Sequence, residues 1–172
     1  MENPNTNIEM YGKFTWTIND FSTVMPDLSS DPFSFDGHKW RIIMDYVSNS
    51  LSIYLDSAVD NMPHGWEKTV NYNLILINQL QAKRNIINEC NATFHSNSRP
   101  CGFEAIDLNK LWDSSCGFIV DDTCIVEVHI KVEKEVDESV RNVDNKLVER
   151  IQNLPPQEMI STEMVDFRGI GK

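Results

Sequence analysis

Phe14, Trp16 and Ile18 alternate with Thr15, Thr17 and Asn19, and the alternation stops at Asn19-Asp20. A period of two carried by aromatic and β-branched residues describes a strand with one buried face. Asn and Asp then bend the chain through their own side chains. Similar blocks follow at short spacing. Lys39 to Tyr46 puts Trp40, Ile42 and Met44 on one parity and Arg41, Ile43 and Asp45 on the other. Leu51-Ser52-Ile53-Tyr54-Leu55 alternates cleanly, so Leu51, Ile53 and Leu55 are expected inside and Ser52 and Tyr54 outside. Lys68 to Asn78 is the longest block, and its Leu74-Ile75-Leu76-Ile77 run predicts cover on both faces. Further blocks occupy residues 85–95, 103–106 and 123–132, the last with Cys124, Val126, Val128, Ile130 and Val132 on one face. Residues 24–37, 56–65 and 96–102 are rich in Asp, Asn, Ser, Pro and Gly and read as loops. Asp107 is a candidate N-cap for one helical turn over Leu108 to Trp112, and Asp121-Asp122 reads as a turn. Many short strands with turn signals between them predict an all-β sandwich.

The pattern changes after Val132. Val136, Val140, Val143, Leu147, Ile151 and Leu154 recur every three or four residues until Pro155-Pro156. That spacing predicts a short amphipathic C-terminal helix. Val140, Val143, Leu147 and Ile151 are its candidate oligomerisation residues, with packing onto the chain's own sandwich as the other reading. The 172 residues therefore suit one domain with an appendage.

The net charge of -11, most of it within residues 1–132, argues against nucleic acid and anionic membranes as partners. No stretch approaches the ~20 apolar residues of a membrane helix, so no membrane insertion is expected. The polar start, Met1 to Asn7, lacks an apolar signal core. A cytoplasmic location is expected, with the nucleus also open. Cys90, Cys101, Cys116 and Cys124 are then expected as reduced, unlinked thiols.

No Gly-rich phosphate loop, Gly-x-Ser-x-Gly or His-Glu-x-x-His occurs, and His38, His64, His95 and His129 lie on different blocks. A Cys90–His95 metal pair lacks further ligands, and Cys116 lacks an identifiable His partner. No enzyme activity, cofactor or metal is expected. Tyr54, Tyr72 and Phe103 are instead expected as outward-facing aromatics, the raw material of a shallow peptide site where backbone bonds give affinity and pockets give choice.

The blocks together resemble the MATH (meprin and TRAF homology) domain family. Lys13-Phe-Thr-Trp-Thr-Ile-Asn-Asp-Phe-Ser22 is similar to the family's opening strand. Gly37-His-Lys-Trp-Arg-Ile42, Leu51-Ser-Ile-Tyr-Leu55 with Asp56, Gly65-Trp66, Asn78-Gln79, Gly102-Phe103 and Gly117-Phe-Ile-Val-Asp-Asp-Thr-Cys-Ile-Val-Glu127 follow in the family's order. The wording is most similar to plant members with a C-terminal coiled coil. The resemblance implies a polar arm over residues 1–7, a MATH domain over 8–132, and a helix and linker over 133–172 that lead toward a truncated coiled coil. It implies a TRAF/MATH-type antiparallel sandwich of about eight strands.

It also implies a groove for a short peptide along one sheet edge, formed by Tyr54, Tyr72 and the Pro100-Cys101-Gly102-Phe103 segment. The family's motif at that segment is Asp-Trp-Gly-Phe, so here Pro100 and Cys101 replace a hydrogen-bond acceptor and a large apolar wall. A family aromatic is likewise absent near Thr93. The expected function is a non-enzymatic protein-interaction module. The alternatives are a substrate adaptor or regulatory component of a ubiquitin-pathway complex, or an oligomerisation scaffold with a degenerate groove.

Overall fold

A computed structural model of the chain describes residues 7–58 and 62–135. The chain runs through β1 (Asn7–Ile18), α1 (Phe21–Val24), β2 (Leu28–Ser29), β3 (Phe33–Phe35), β4 (His38–Val47), β5 (Ser50–Ser57), β6 (Glu67–Leu76), β7 (Ile86–His95), β8 (Cys101–Asp107), α2 (Leu108–Leu111) and β9 (Cys124–Glu135). One sheet has the order β1-β9-β6-β7, and the other has the order β2-β4-β5-β8 with β3 also paired to β4. Every pairing is antiparallel. The predicted sandwich is therefore the fold. The predicted helix over 136–154 lies outside the described residues.

The parity assignments explain how the sheets close. Trp40, Ile42 and Met44 of β4 and Leu51, Ile53 and Leu55 of β5 are fully buried. They face Val70, Tyr72 and Leu74 of β6 and the predicted stripe of β9, all buried as well. Ile75 is buried on the opposite face from Leu74, so the unbroken apolar run does have cover on both sides. Trp40 lies edge-on to Phe94 of β7, ring centres 5.0 Å apart, and its indole N–H donates to the Phe35 carbonyl.

Two expectations need correction. Residues 24–37 are not only loop, because they hold β2 and β3. Phe33 and Phe35 alternate with exposed Ser34, and Phe33 stacks on Phe14 of β1 with ring centres 4.3 Å apart. The partner ring comes from a strand about twenty residues earlier, so no local signal announces it. Ser52 has the outward parity predicted for it but is buried, since its short side chain sits between its cross-strand neighbours Asp45 and Glu104.

The turns carry the polar work. The Asp107 carboxylate accepts from the Asn109 N–H, the cap expected for α2. Asp121 and Asp122 adopt left-handed backbone, and the Asp122 carboxylate accepts from both the N–H and the hydroxyl of Ser22. The break after β1 is thus held from the turn before β9. Asn78 is buried, donates to the Cys116 carbonyl at 2.7 Å and accepts from the N–H groups of Leu80 and Gln81.

Asp36, in the β3–β4 turn, clamps one sheet to the other. Its side chain is 3% exposed and accepts from Lys68 of β6 and Lys134 of β9. Burial alone would raise the carboxyl's pKa, but the hydrogen bonds and charges of Lys134 and Lys68 outweigh it and hold the value below the usual carboxylate range. A depressed folded-state pKa contributes stability above the unfolded value, and that stability is lost as pH falls through the folded value. Asp36→Asn should destabilise the protein by about 1–3 kcal/mol at neutral pH. In urea titrations the gap between wild type and variant should shrink below about pH 4. An unchanged gap at acid pH would show that Asp36 does not act through its charge.

Candidate functional site

β8 is an edge strand: it pairs β5 on one side, and no described strand pairs the other. Its register sets Tyr54 opposite Gly102, Ile53 opposite Phe103 and Leu55 opposite Cys101. Directly opposed residues share a face. Tyr54 and Gly102 therefore lie on the outer face, while Phe103, expected outward, lies with Cys101 on the core side, half-buried against the interior because it pairs with inward Ile53. The register slips between Leu51 and Ser52, leaving Ala105 as a bulge in β8.

Gly102 is required by this closeness. A Cβ there would stand 1.8 Å from the Ile53 carbonyl oxygen and 2.6 Å from the Tyr54 Cα. The strip of β8 beside the Tyr54 ring is consequently bare backbone. On the other side of Tyr54 stands Ile43 of β4, its cross-strand partner. Beyond them Arg41 and Asp56 form a paired charge, with Nε and Nη2 reaching the same Asp56 oxygen at 2.9 and 2.8 Å. The outer face thus offers an apolar row of Ile43 and Tyr54, an ion pair at one end and an unpaired strand edge.

Tyr72 is not the exposed aromatic expected of it. It is 2% exposed, belongs to the other sheet, and turns inward. Its hydroxyl donates to the Cys101 carbonyl at 2.9 Å and so ties the interior strand β6 of one sheet to the edge strand β8 of the other. Burial, with that hydrogen bond next, pushes the Tyr72 hydroxyl pKa far upward, so it stays a neutral donor. Cys90, directly opposite Tyr72 on β7, also has its thiol pushed up, chiefly by burial. Such a thiol is a poor nucleophile at neutral pH.

The structure therefore brings Tyr54 and Gly102 together on the outer face. It brings Tyr72, Cys101 and Phe103 together on the inner side of the same edge. Pro100 is exposed and falls just before β8, so its missing N–H takes no donor from the ladder. Thr93 lies on the outer face of the other sheet, where its hydroxyl meets that of Thr69 at 2.7 Å. Ile43 and the Arg41–Asp56 pair escaped the sequence reading. Alternation assigns Ile43 and Arg41 their parity, but only the β4–β5 register places them against Tyr54 and Asp56.

A second concavity, of about 520 Å³, lies on the outer face of the β1-β9-β6-β7 sheet, bordered by Tyr11, Lys13, Asn71, Asn73, His129 and Lys131. Its charges are met internally: Glu127 accepts from Lys13 at 3.4 Å and pairs with His129 at 3.0 Å. Among the described residues no group of three His, Cys, Asp or Glu side chains could hold a metal ion.

A sequence profile described as the MATH domain matches residues 13–130. The chain is 35% identical over 131 residues to Ubiquitin C-terminal hydrolase 12 of Arabidopsis thaliana, covering 73% of this chain and 12% of the hydrolase. It is 30% identical over 136 residues to an Arabidopsis thaliana MATH domain and coiled-coil domain-containing protein, covering 74% of this chain and 49% of that one. It is 33% identical over 130 residues to Protein RESTRICTED TEV MOVEMENT 3 of the same plant, covering 70% and 43%. The chain thus spans about half or less of the length of these relatives. A solved structure, Notothenia coriiceps TRAF5, has the same fold, with a TM-score of 0.52 at 21% identity over 73% of this chain and 74% of that one.

The tie made by Tyr72 gives a direct test. Tyr72→Phe removes the donor to Cys101 and should cost about 1 kcal/mol in chemical denaturation. Gly102→Val should cost several times more, because β8 must leave β5 to admit the side chain. Equal effects of the two changes would contradict the geometry.

Proposed function

The chain belongs to the MATH domain family, and on that premise we propose that it binds a short extended segment of a partner protein along the open edge of β8. MATH domains are non-catalytic protein-interaction modules. The observation that carries the finer reading is the conjunction at β8: an unpaired strand edge, bare backbone at Gly102, and the Tyr54 ring on the outer face beside it. A peptide added there gains backbone hydrogen bonds in register with β8, and every second side chain meets the outer face. Tyr54 and Ile43 offer that side chain an apolar wall, and the Arg41–Asp56 pair offers charge of both signs.

With Cys101 half-buried on the core side, the segment before Gly102 adds no large apolar surface to the outer face. Specificity then rests on Tyr54 and its neighbours. The ligand is a protein segment that lies flat and places one apolar residue over Tyr54.

A second reading, an adaptor or regulatory part of a ubiquitin-pathway complex, is supported by similarity to two hydrolases. Ubiquitin C-terminal hydrolase 13 of Arabidopsis thaliana is 33% identical over 143 residues, covering 80% of this chain and 13% of that protein. The similarity reaches this chain only through the interaction domain, so it bears on partner choice and not on hydrolysis.

Tyr54→Ala should weaken binding to a captured peptide about tenfold or more in calorimetry, with the melting temperature nearly unchanged, because the ring lies outside the core. Phe103→Ala should lower both affinity and melting temperature, since that ring packs on the core side. Binding that survives Tyr54→Ala at full affinity would move the site elsewhere.

A further inference from the structure

β1 and β7 are the two long edges of the β1-β9-β6-β7 sheet. β1 pairs β9 along its full length, and no described strand pairs its second side. Long edges are usually blunted by bulges, prolines, inward charges or charged side chains along the edge. Asn7–Ile18 has no proline or inward charge and its register with β9 runs without a shift, so Glu9 and Lys13 are the charges that guard it. Glu9, Tyr11 and Lys13 stand opposite Glu133, Lys131 and His129 and so share the outer face. Tyr11 is 46% exposed, and the side chains of Glu9 and Lys13 are 43% and 42% exposed. Within one copy Glu9 accepts from the Tyr11 hydroxyl and pairs with Lys131, and Lys13 pairs with Glu127, so a contact across copies shares these partly exposed charges rather than meeting free ones.

We propose that β1 pairs antiparallel with β1 of a second copy of this chain, about a two-fold axis through Tyr11. The argument is self-complementarity. An isologous interface brings each residue against its symmetry mate's counterpart. With the axis at Tyr11, the two Tyr11 rings face each other, and Glu9 of each copy stands opposite Lys13 of the other. Asn7 stands opposite Thr15, again twice. Opposed side chains on one face of an antiparallel pair lie about 5 Å apart between Cβ atoms, close enough for ion pairs and ring contact.

Neighbouring registers lose this match. An axis at Glu9 sets carboxylate on carboxylate, and an axis at Lys13 sets ammonium on ammonium. An axis at Met10 or Gly12 leaves both charges opposite neutral residues. The charge pattern therefore selects one register and rejects the nearest alternatives. Joining the two copies makes one continuous sheet of eight strands from two of four. The contact is a single strand wide, so the dimer dissociates on dilution. β8 lies in the other sheet, which leaves its edge open in the dimer.

Sedimentation velocity on the full chain over a dilution series should show a monomer–dimer equilibrium. Glu9→Lys alone and Lys13→Glu alone should each weaken association about tenfold, because the two-fold axis makes each change act twice. The double variant Glu9→Lys/Lys13→Glu should restore association close to wild type. As a second readout, Tyr11→Cys treated with oxidised glutathione should give a disulfide-linked dimer on non-reducing gels. There the two thiols lose two protons and two electrons to the glutathione disulfide. Lys83→Cys, an exposed control away from β1, should not. A chain that stays monomeric at every concentration would overturn the proposal. So would association indifferent to the single reversals, a double variant that fails to recover, or crosslinking equal to the control.

Discussion

The indole of Trp40 bridges the two sheets, edge-on to Phe94 from β7 and hydrogen-bonded to the Phe35 carbonyl from β3. Once that ring is inside, the parity of β4 follows, with Ile42 and Met44 inward and Arg41 and Ile43 outward. Pairing transmits the parity. Ile42 sits opposite Leu55 and Met44 opposite Ile53, which forces Tyr54 to the outer face beside Ile43. The β5–β8 register then sets Gly102 next to Tyr54 and turns Phe103 toward the core. A one-residue slip at any of these pairings would exchange the two faces, bury Tyr54 and expose the aliphatic residues of β5. The outer face proposed for recognition is thus a consequence of how the core closes.

The two sheets are also joined from the inside by polar bonds, one of them at the β8 edge. Tyr72 crosses from the other sheet to the Cys101 carbonyl, and its buried hydroxyl remains neutral. At the β3–β4 turn the Asp36 carboxylate gathers Lys68 and Lys134 from the facing sheet. Both contacts join sheets whose apolar packing is non-directional. They fix how the sheets sit against one another while the aliphatic residues supply most of the burial. A rigid edge suits strand addition, because a peptide that docks on preorganised backbone loses less to ordering.

Much of the fold was legible in the chain. The inward set Leu51, Ile53 and Leu55, the double-sided cover of Leu74 and Ile75 and the stripe from Cys124 to Val132 each matched the observed burial, because period-two patterning is a local property, whereas the burial of Ser52 depends on its cross-strand neighbours. The Asp107 cap and the Asp121-Asp122 turn were legible for the same reason. The short strands β2 and β3 were not, because Phe33 and Phe35 are held by Phe14 and β4 across the sandwich. Tyr72 misled for a related reason. It was read as an exposed aromatic, yet it lies opposite Ile130, on the inward face of its sheet. Its hydroxyl finds a partner only when the two sheets meet.

By itself the sequence determined an all-β sandwich, since alternation and turn chemistry act over a few residues, and the order of its motifs matched it to the MATH family. Tertiary structure decided which aromatics reach the surface, which strand edges stay open and which charges are clamped. Those outcomes depend on register between strands far apart in the chain. Register is set by the joint burial of both sheets, which no single segment specifies.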